Sequence, residues 1–179
     1  MRSLLRRRSA KELEAWVLES LGTPLRGAVL RNVKVEDDPV ADEVKIRFEL
    51  AAPKFCQFLP GNLALVKLDL FTRMGMPAFP NRDRVLPLEF EGMQVVERVE
   101  IVLPDRFAAE ELPSPVVIEE PFATYENRVG LREGVLGLER ILTLRDMTVP
   151  ATDYARVRQF VGGVAKADKG SAVLRVGAP

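Results

Sequence analysis

The sequence contains no histidine and only one cysteine, Cys56. Ser-His-Asp and Cys-His catalytic arrangements need an imidazole that accepts and returns a proton, so this chain cannot form either of them by itself. A structural zinc site needs four Cys or His ligands, and it is excluded for the same reason. One cysteine also cannot close an internal disulfide, so the fold depends on its hydrophobic core. Acid–base chemistry is left to Asp, Glu, Lys and Ser.

A net charge is absent as well. The 26 Lys and Arg residues balance 26 Asp and Glu residues, so no overall field attracts nucleic acid or an anionic membrane. The four arginines among the first eight residues are expected to form a solvated lead-in to a helix. No apolar run is long enough for a membrane span or a signal peptide. We therefore predict no nucleic-acid partner and no membrane insertion.

The first predicted element is an amphipathic helix over 9–21. Ser9 and Glu12 have the spacing of a capping box, and a Gly-Thr-Pro sequence after residue 21 ends the helix. Its apolar stripe consists of Leu13, Trp16, Val17 and Leu21. A stripe that contains a tryptophan needs a covering surface, which is either the sheet that follows or a neighbouring domain. These four residues are therefore the candidate contact with another domain. We predict that residues 1–24 form the link from a preceding domain.

After residue 24 the apolar period changes to two, which is typical of strands with one wet face. Strands are predicted at 29–36, 44–50, 63–71, 84–90, 95–103, 112–118, 124–131, 135–144 and 172–176. Pro87 makes its segment an edge strand, and the glycine at 134 suits a tight hairpin turn. A helix is predicted over about 150–168, with Tyr154, Val157, Phe160, Val161 and Val164 on its apolar side. The fold class is mainly β: an antiparallel β-sandwich of about seven or eight strands over 25–179, with a helix at each end.

The acidic segment 36–43 is the densest group of carboxylates and resembles a cation-binding loop in composition alone. The EF-hand spacing is absent, so a solvated hairpin loop is expected, and cation binding stays open.

Other candidate groups are weaker. The two members of each adjacent pair, Glu110–Glu111 and Glu119–Glu120, point to opposite sides of an extended chain, so neither pair forms a dyad. No glycine-rich phosphate loop occurs. Phe48, Phe90, Phe122 and Phe160 are expected in the core, and Cys56 as a half-buried hydrophobe. We predict no cofactor, no metal site and no catalytic residue.

From about 99 to 176, several short motifs follow one another in a familiar order. They are VEIVLP at 99–104, ELP at 111–113, EPFATY at 120–125, LER at 138–140 and VPATDY at 149–154, followed by RQF at 158–160. Their order resembles the C-terminal domain of unknown function that follows the core in bacterial transglutaminase-like proteins. The helix at 9–21 and the RVLPL segment at 84–88 are similar to earlier parts of that region.

The resemblance implies an accessory domain that packs on a papain-like core or limits access to its cleft. The family's catalytic Cys, His and Asp lie in the core, and they cannot be carried onto this chain. Such proteins are typically extracytoplasmic or periplasmic, so the absence of a signal peptide would make this chain a fragment or a truncated reading frame. Two alternatives remain open: an independent β-sandwich module that binds carbohydrate or protein, and a hydrolase that uses two carboxylates in a cleft.

Overall fold

A computed structural model describes residues 9–21, 25, 27–38, 40, 43–52, 55–68, 70, 79 and 83–177. These residues divide into two compact units. The first contains the described residues up to Phe55 together with Leu70, and the second contains the other described residues from Cys56 onward. The predicted division at residue 24 stays a prediction.

The first unit consists of one helix and one hairpin. Helix α1 spans Ala10–Ser20 and packs against β1, which spans Val29–Asp38; β1 pairs antiparallel with β2, Glu43–Ala51. The predicted capping box is present, because the Glu12 N–H donates to the Ser9 hydroxyl and the Ser9 N–H donates to the Glu12 carboxylate. The predicted strands at 29–36 and 44–50 are confirmed, and they pair with each other.

The second unit contains two four-stranded antiparallel sheets and a two-stranded pair. Sheet A has the order β6-β10-β9-β8, and sheet B has the order β3-β4-β12-β7; β5 pairs with β11. The strands of sheet A are β6 (Met93–Val102), β8 (Val116–Glu120), β9 (Ala123–Arg132) and β10 (Val135–Leu144). Those of sheet B are β3 (Cys56–Leu59), β4 (Leu63–Lys67), β7 (Phe107–Glu111) and β12 (Ser171–Val176). The pair is formed by β5 (Leu88–Phe90) and β11 (Met147–Val149).

The C-terminal helix supplies much of the core of this unit. A short 3-10 turn, Ala151–Asp153, leads into α2, Tyr154–Ala167. The predicted apolar side is confirmed: four of its residues are fully buried, namely Tyr154, Val157, Phe160 and Val164. Phe122 stacks on Phe90 at 5.5 Å and meets Phe160 edge-on at 5.6 Å, which confirms the predicted core role of these three rings.

The mainly β, sandwich-like fold with a short N-terminal helix and a C-terminal helix is confirmed. The described residues hold twelve strands rather than seven or eight, because several strands of three to five residues were not expected. The segment 84–90 was predicted too long, since β5 begins only after Pro87, whose nitrogen carries no hydrogen for a ladder. The predicted strand 63–71 is also too long, because β4 ends at Lys67 and the described residues 68 and 70 are not in a strand; residues 69 and 71 lie outside the described residues.

Candidate functional site

Three polar side chains lie side by side across the inward face of sheet A. Arg140 of β10 is directly opposite Glu97 of β6 on one side and Asn127 of β9 on the other. Side chains alternate between the two faces of a strand, so Arg140 shares its face with the buried Leu138 and Leu142. The sheet register alone therefore places a cation, a carboxylate and an amide in one row within an apolar surface.

Arg140 is the centre of this row. Its Nη1 lies 2.7 Å from the Glu97 carboxylate, and its Nε lies 3.0 Å from Asp168 Oδ1. Its Nη2 donates to the carbonyl of Leu68 at 3.4 Å. The side chains of Arg140, Glu97 and Asp168 are only 11%, 14% and 4% exposed. The two ion pairs are therefore held in a region of low dielectric, where an unpaired charge is costly.

Asp168 comes from the chain segment that follows α2, and its position is fixed by the helix end. Its N–H donates to the carbonyl of Val164, while Asn127 Nδ2 donates to the carbonyl of Ala167 at 3.4 Å. The Tyr125 hydroxyl donates to Asp168 Oδ1, and the Arg140 guanidinium forms its ion pair with the same oxygen. The end of α2 is bound in this way to the middle strands of sheet A.

The environment of Tyr125 determines its protonation. Burial of the phenol, followed by its hydrogen bond to the Asp168 carboxylate, raises the pKa of Tyr125 well above its ordinary value of 10.0. The neighbouring Arg140 acts in the opposite direction with a smaller effect. Tyr125 consequently keeps its proton at ordinary pH and acts as a hydrogen-bond donor, not as a base or a nucleophile.

Sequence reasoning missed this network, hereafter the buried polar row, defined as Glu97, Arg140, Asn127, Asp168 and Tyr125. A signal was present in the strands. Glu97, Arg140 and Asn127 each occupy the inward phase of a period-two pattern that is otherwise apolar. Polar residues in that phase indicate a partner inside the fold, because buried polar groups are nearly always hydrogen-bonded.

Most of the apolar stripe on α1, the candidate contact with another domain, is buried within this chain. Leu13, Val17 and Leu21 are 3%, 4% and 7% exposed within this chain, and Trp16 is half-buried. The burial of the three aliphatic residues needs no further domain. Contact of the stripe with another domain stays a prediction, and Trp16 is the member with surface left for it.

The other sequence candidates are dispersed. Cys56 is half-buried in β3, as expected. Glu36 forms an exposed ion pair with Arg47, and most other side chains of segment 36–43 lie outside the described residues. Glu110 binds Arg175 and Glu120 binds Arg156, so these carboxylates are separate.

Among the described residues, no group of three or more Cys, Asp or Glu side chains has the arrangement of a metal site. No described helix is long and apolar enough to cross a membrane.

Aromatic side chains do not form an exposed row in the part of the chain that the structure describes. Phe58 of β3 is the exposed ring there, at 64%. Phe48 is half-buried, while Phe90, Phe122 and Phe160 are buried. An exposed row of two or more rings would favour the carbohydrate-binding alternative, which stays a prediction.

Comparison with known proteins places the chain in a family. No curated protein matches it. Among solved structures, it is similar to a protein from Parabacteroides distasonis named "putative protease", with 13% identity and a TM-score of 0.49 over 64% of this chain. The chain spans 24% of that protein's length. Residues 65–174 match the family described as "Domain of Unknown Function with solved-structure structure (DUF3858)", and the chain belongs to this family.

Proposed function

We propose that this chain is a non-catalytic accessory domain of a transglutaminase-like protein, in which it packs on the catalytic core or limits access to its cleft. The observation that carries the proposal is the state of the buried polar row. Its ionisable side chains are buried and bonded to one another, so none of them is available to a bound substrate. A general acid or base must reach the proton that it transfers, and these groups lie inside the fold, where they contact each other and the main chain.

The sequence supports the same interpretation. The chain has no histidine, and Cys56 lies within strand β3 and not at the start of a helix, where the helix dipole would favour a thiolate. The order of motifs from 99 to 160 resembles the domain that follows the core in transglutaminase-like proteins. The Cys, His and Asp that such a protein needs would then come from its core.

A core would contact this chain through the part of the α1 stripe that is not yet covered. Trp16 is half-buried on a helix whose other stripe residues are buried. A large ring with remaining accessible surface contributes strongly when a partner covers it. The core is therefore expected to lie over Trp16.

The proposal is tested first on the purified 179-residue chain and then on the native gene product. The chain alone should not turn over an amide substrate, and the Cys56→Ser variant should be identical to it. The native product, captured with an antibody against the chain, should exceed 20.0 kDa and contain a Cys-His-Asp core. Its melting temperature should exceed that of the core expressed without this domain. Turnover by the purified chain that disappears in Cys56→Ser would contradict the proposal, as would a native product of 20.0 kDa.

A further inference from the structure

In the part of the chain that the structure describes, strand β6 is an edge of sheet A along its whole length. Among the described residues, its ten-residue ladder is formed with β10 alone and has no register shift. The Leu103 N–H donates to the Gly134 carbonyl at 2.8 Å, one position beyond the last ladder pair, Val102 with Val135. In an antiparallel ladder the hydrogen-bonded pairs alternate, so the odd-numbered residues of β6 bond to β10. The even-numbered residues then direct their N–H and C=O groups away from the sheet.

The hairpin between β9 and β10 independently indicates which residues of β6 form hydrogen bonds with β10. Glu133 and Gly134 both have positive φ, at 50° and 77°. Positive φ at both central residues defines the two-residue hairpin turn whose twist matches that of the strands. Such a turn is closed by a hydrogen-bonded pair, here Arg132 with Val135. The odd-numbered residues of β10 therefore bond to β9, and its even-numbered residues bond to the odd-numbered residues of β6.

The exposed side chains of β6 carry a self-complementary pattern. Val96 and Val102 are 43% and 79% exposed, and Arg98 and Glu100 lie between them on the same outward face. Read in the opposite direction, the series Val-Arg-Glu-Val becomes Val-Glu-Arg-Val. A second strand of identical sequence, laid antiparallel, thus presents a valine to each valine and an opposite charge to each charge.

We propose that β6 pairs antiparallel with β6 of a second copy of this chain, with Val99 of each copy at the two-fold axis. Val96 then lies opposite Val102 of the second copy, and Arg98 lies opposite Glu100. These four residues of each copy bear the outward-directed backbone groups, so the pairing forms about eight main-chain hydrogen bonds and joins the two sheets A into one.

The charges of the strand disfavour the registers centred on residues 97, 98 and 100. Centring the pair on Arg98 or on Glu100 places that residue opposite its own copy, and centring it on Glu97 does the same for an inward carboxylate. Like charges directly opposite are destabilising. A shift of one residue between the strands would place inward side chains opposite outward ones. Arg98 already bonds Glu139 through Nε at 2.8 Å, but its side chain is 70% exposed, and its other guanidinium N–H groups can reach Glu100 of the second copy.

The first experiment measures the dimerisation constant by sedimentation equilibrium. It uses the Glu139→Gln background, in which the intrachain ion pair of Arg98 is already absent. Changes at 98 and 100 are then compared without the loss of that pair. Glu100→Arg places two like-charge pairs in the dimer and should weaken dimerisation about tenfold or more. Arg98→Glu combined with Glu100→Arg restores opposite charges and should recover it. Arg128→Glu, an outward arginine on the interior strand β9, is the matched control and should leave it unchanged. A chain that stays monomeric at all concentrations, or a dimer indifferent to Glu100→Arg, overturns the proposal.

The second experiment tests the register itself. In the Cys56→Ser background, Val99→Cys should form an intermolecular disulfide on mild oxidation, since the Cα atoms of such a non-hydrogen-bonded pair are about 4.5 Å apart. Val95→Cys is the matched control, because the same pairing separates its two copies by about 27 Å. Circular dichroism verifies that each variant is folded. Cross-linking at 95 as efficient as at 99, or none at 99 in a folded variant, overturns the proposed pairing.

Discussion

Two ion pairs join the same two strands at neighbouring positions and differ in the face that they occupy. Glu97–Arg140 lies on the inward face of sheet A, with 2.7 Å between nitrogen and oxygen, and Arg98–Glu139 lies on the outward face, with 2.8 Å. The exposed fractions are 14% and 11% inside, but 70% and 36% outside. The same Arg–Glu pairing at almost the same distance therefore contributes differently to stability on the two faces of the sheet. Inside, each charge depends on its partner, whereas outside water replaces the partner.

The largest expected effect comes from removing the cation of the inward pair. Arg140→Met leaves the Glu97 and Asp168 carboxylates without their guanidinium, and it should lower the free energy of unfolding by about 3–5 kcal/mol. The matched change outside, Arg98→Met, should cost about 0–1 kcal/mol. Urea denaturation of both variants checks this. Equal losses in the two variants would contradict the comparison.

Aromatic rings offer the same comparison without charge. Phe160 is 1% exposed within the core of the second unit, and Phe58 is 64% exposed on β3. Phe160→Ala should destabilise the protein by about 3–5 kcal/mol, because it leaves a cavity among Phe122 and its neighbours. Phe58→Ala should change stability by about 0.5 kcal/mol or less. A loss below about 1 kcal/mol in Phe160→Ala, measured by chemical denaturation, would show that the ring is not part of the core.

These contrasts define what the sequence could predict. Alternation in β6, β9 and β10 fixes which residues face inward and correctly identified those strands. Apolar stripes of helical period correctly identified both helices, and the two patterns together placed Phe90, Phe122 and Phe160 in the core. Strand β7 was missed because four of its five residues are exposed and carry no alternation. Strand β11 has only three residues, which is too short for a period to be recognised.

The buried polar row could be located by phase but not interpreted from sequence. Arg140 occupies an inward position between Leu138 and Leu142. From the local pattern alone, a charged residue at such an apolar position has no visible partner. Its partners are Glu97, 43 residues earlier in the chain, and Asp168 at the far end of α2. Only the sheet register and the docking of the helix bring the three together. The stripe on α1 shows the converse case, because periodicity identified its buried side but left open whether the following sheet or another domain covers it.

The stabilisation by the buried Tyr125 hydroxyl is expected to depend on pH. Tyr125→Phe removes the hydroxyl that donates to Asp168 and should cost about 1–3 kcal/mol at neutral pH. An unfolded tyrosine loses its proton near pH 10, whereas the raised pKa of Tyr125 keeps the folded phenol protonated. The unfolded state then binds fewer protons, so this stabilisation is present below pH 10 and is lost as pH rises toward the folded pKa.

The measurement for Tyr125 is the difference in unfolding free energy between the wild type and Tyr125→Phe as a function of pH. That difference should be constant from neutral pH to about 9 and should shrink by up to about 1.4 kcal/mol per pH unit above 10. Comparing the two proteins cancels the titration of other groups. A difference that does not change above pH 10 would show that Tyr125 ionises equally in both states.

The smallest expected effect separates the two sides of α2 at adjacent glycines. Gly162 is exposed and a methyl group there would meet nothing within 4 Å, whereas at Gly163 it would approach Ile118 Cδ1 to 2.9 Å. Gly162→Ala should therefore raise the free energy of unfolding by about 0.5–1 kcal/mol through helix propensity. Gly163→Ala should gain less or lose stability, because the Ile118 side chain has to move away from its position against the helix. Thermal denaturation of the two single variants and the double variant checks this order. If Gly163→Ala were the more stabilising change, α2 could not lie as closely on β8 as the structure places it.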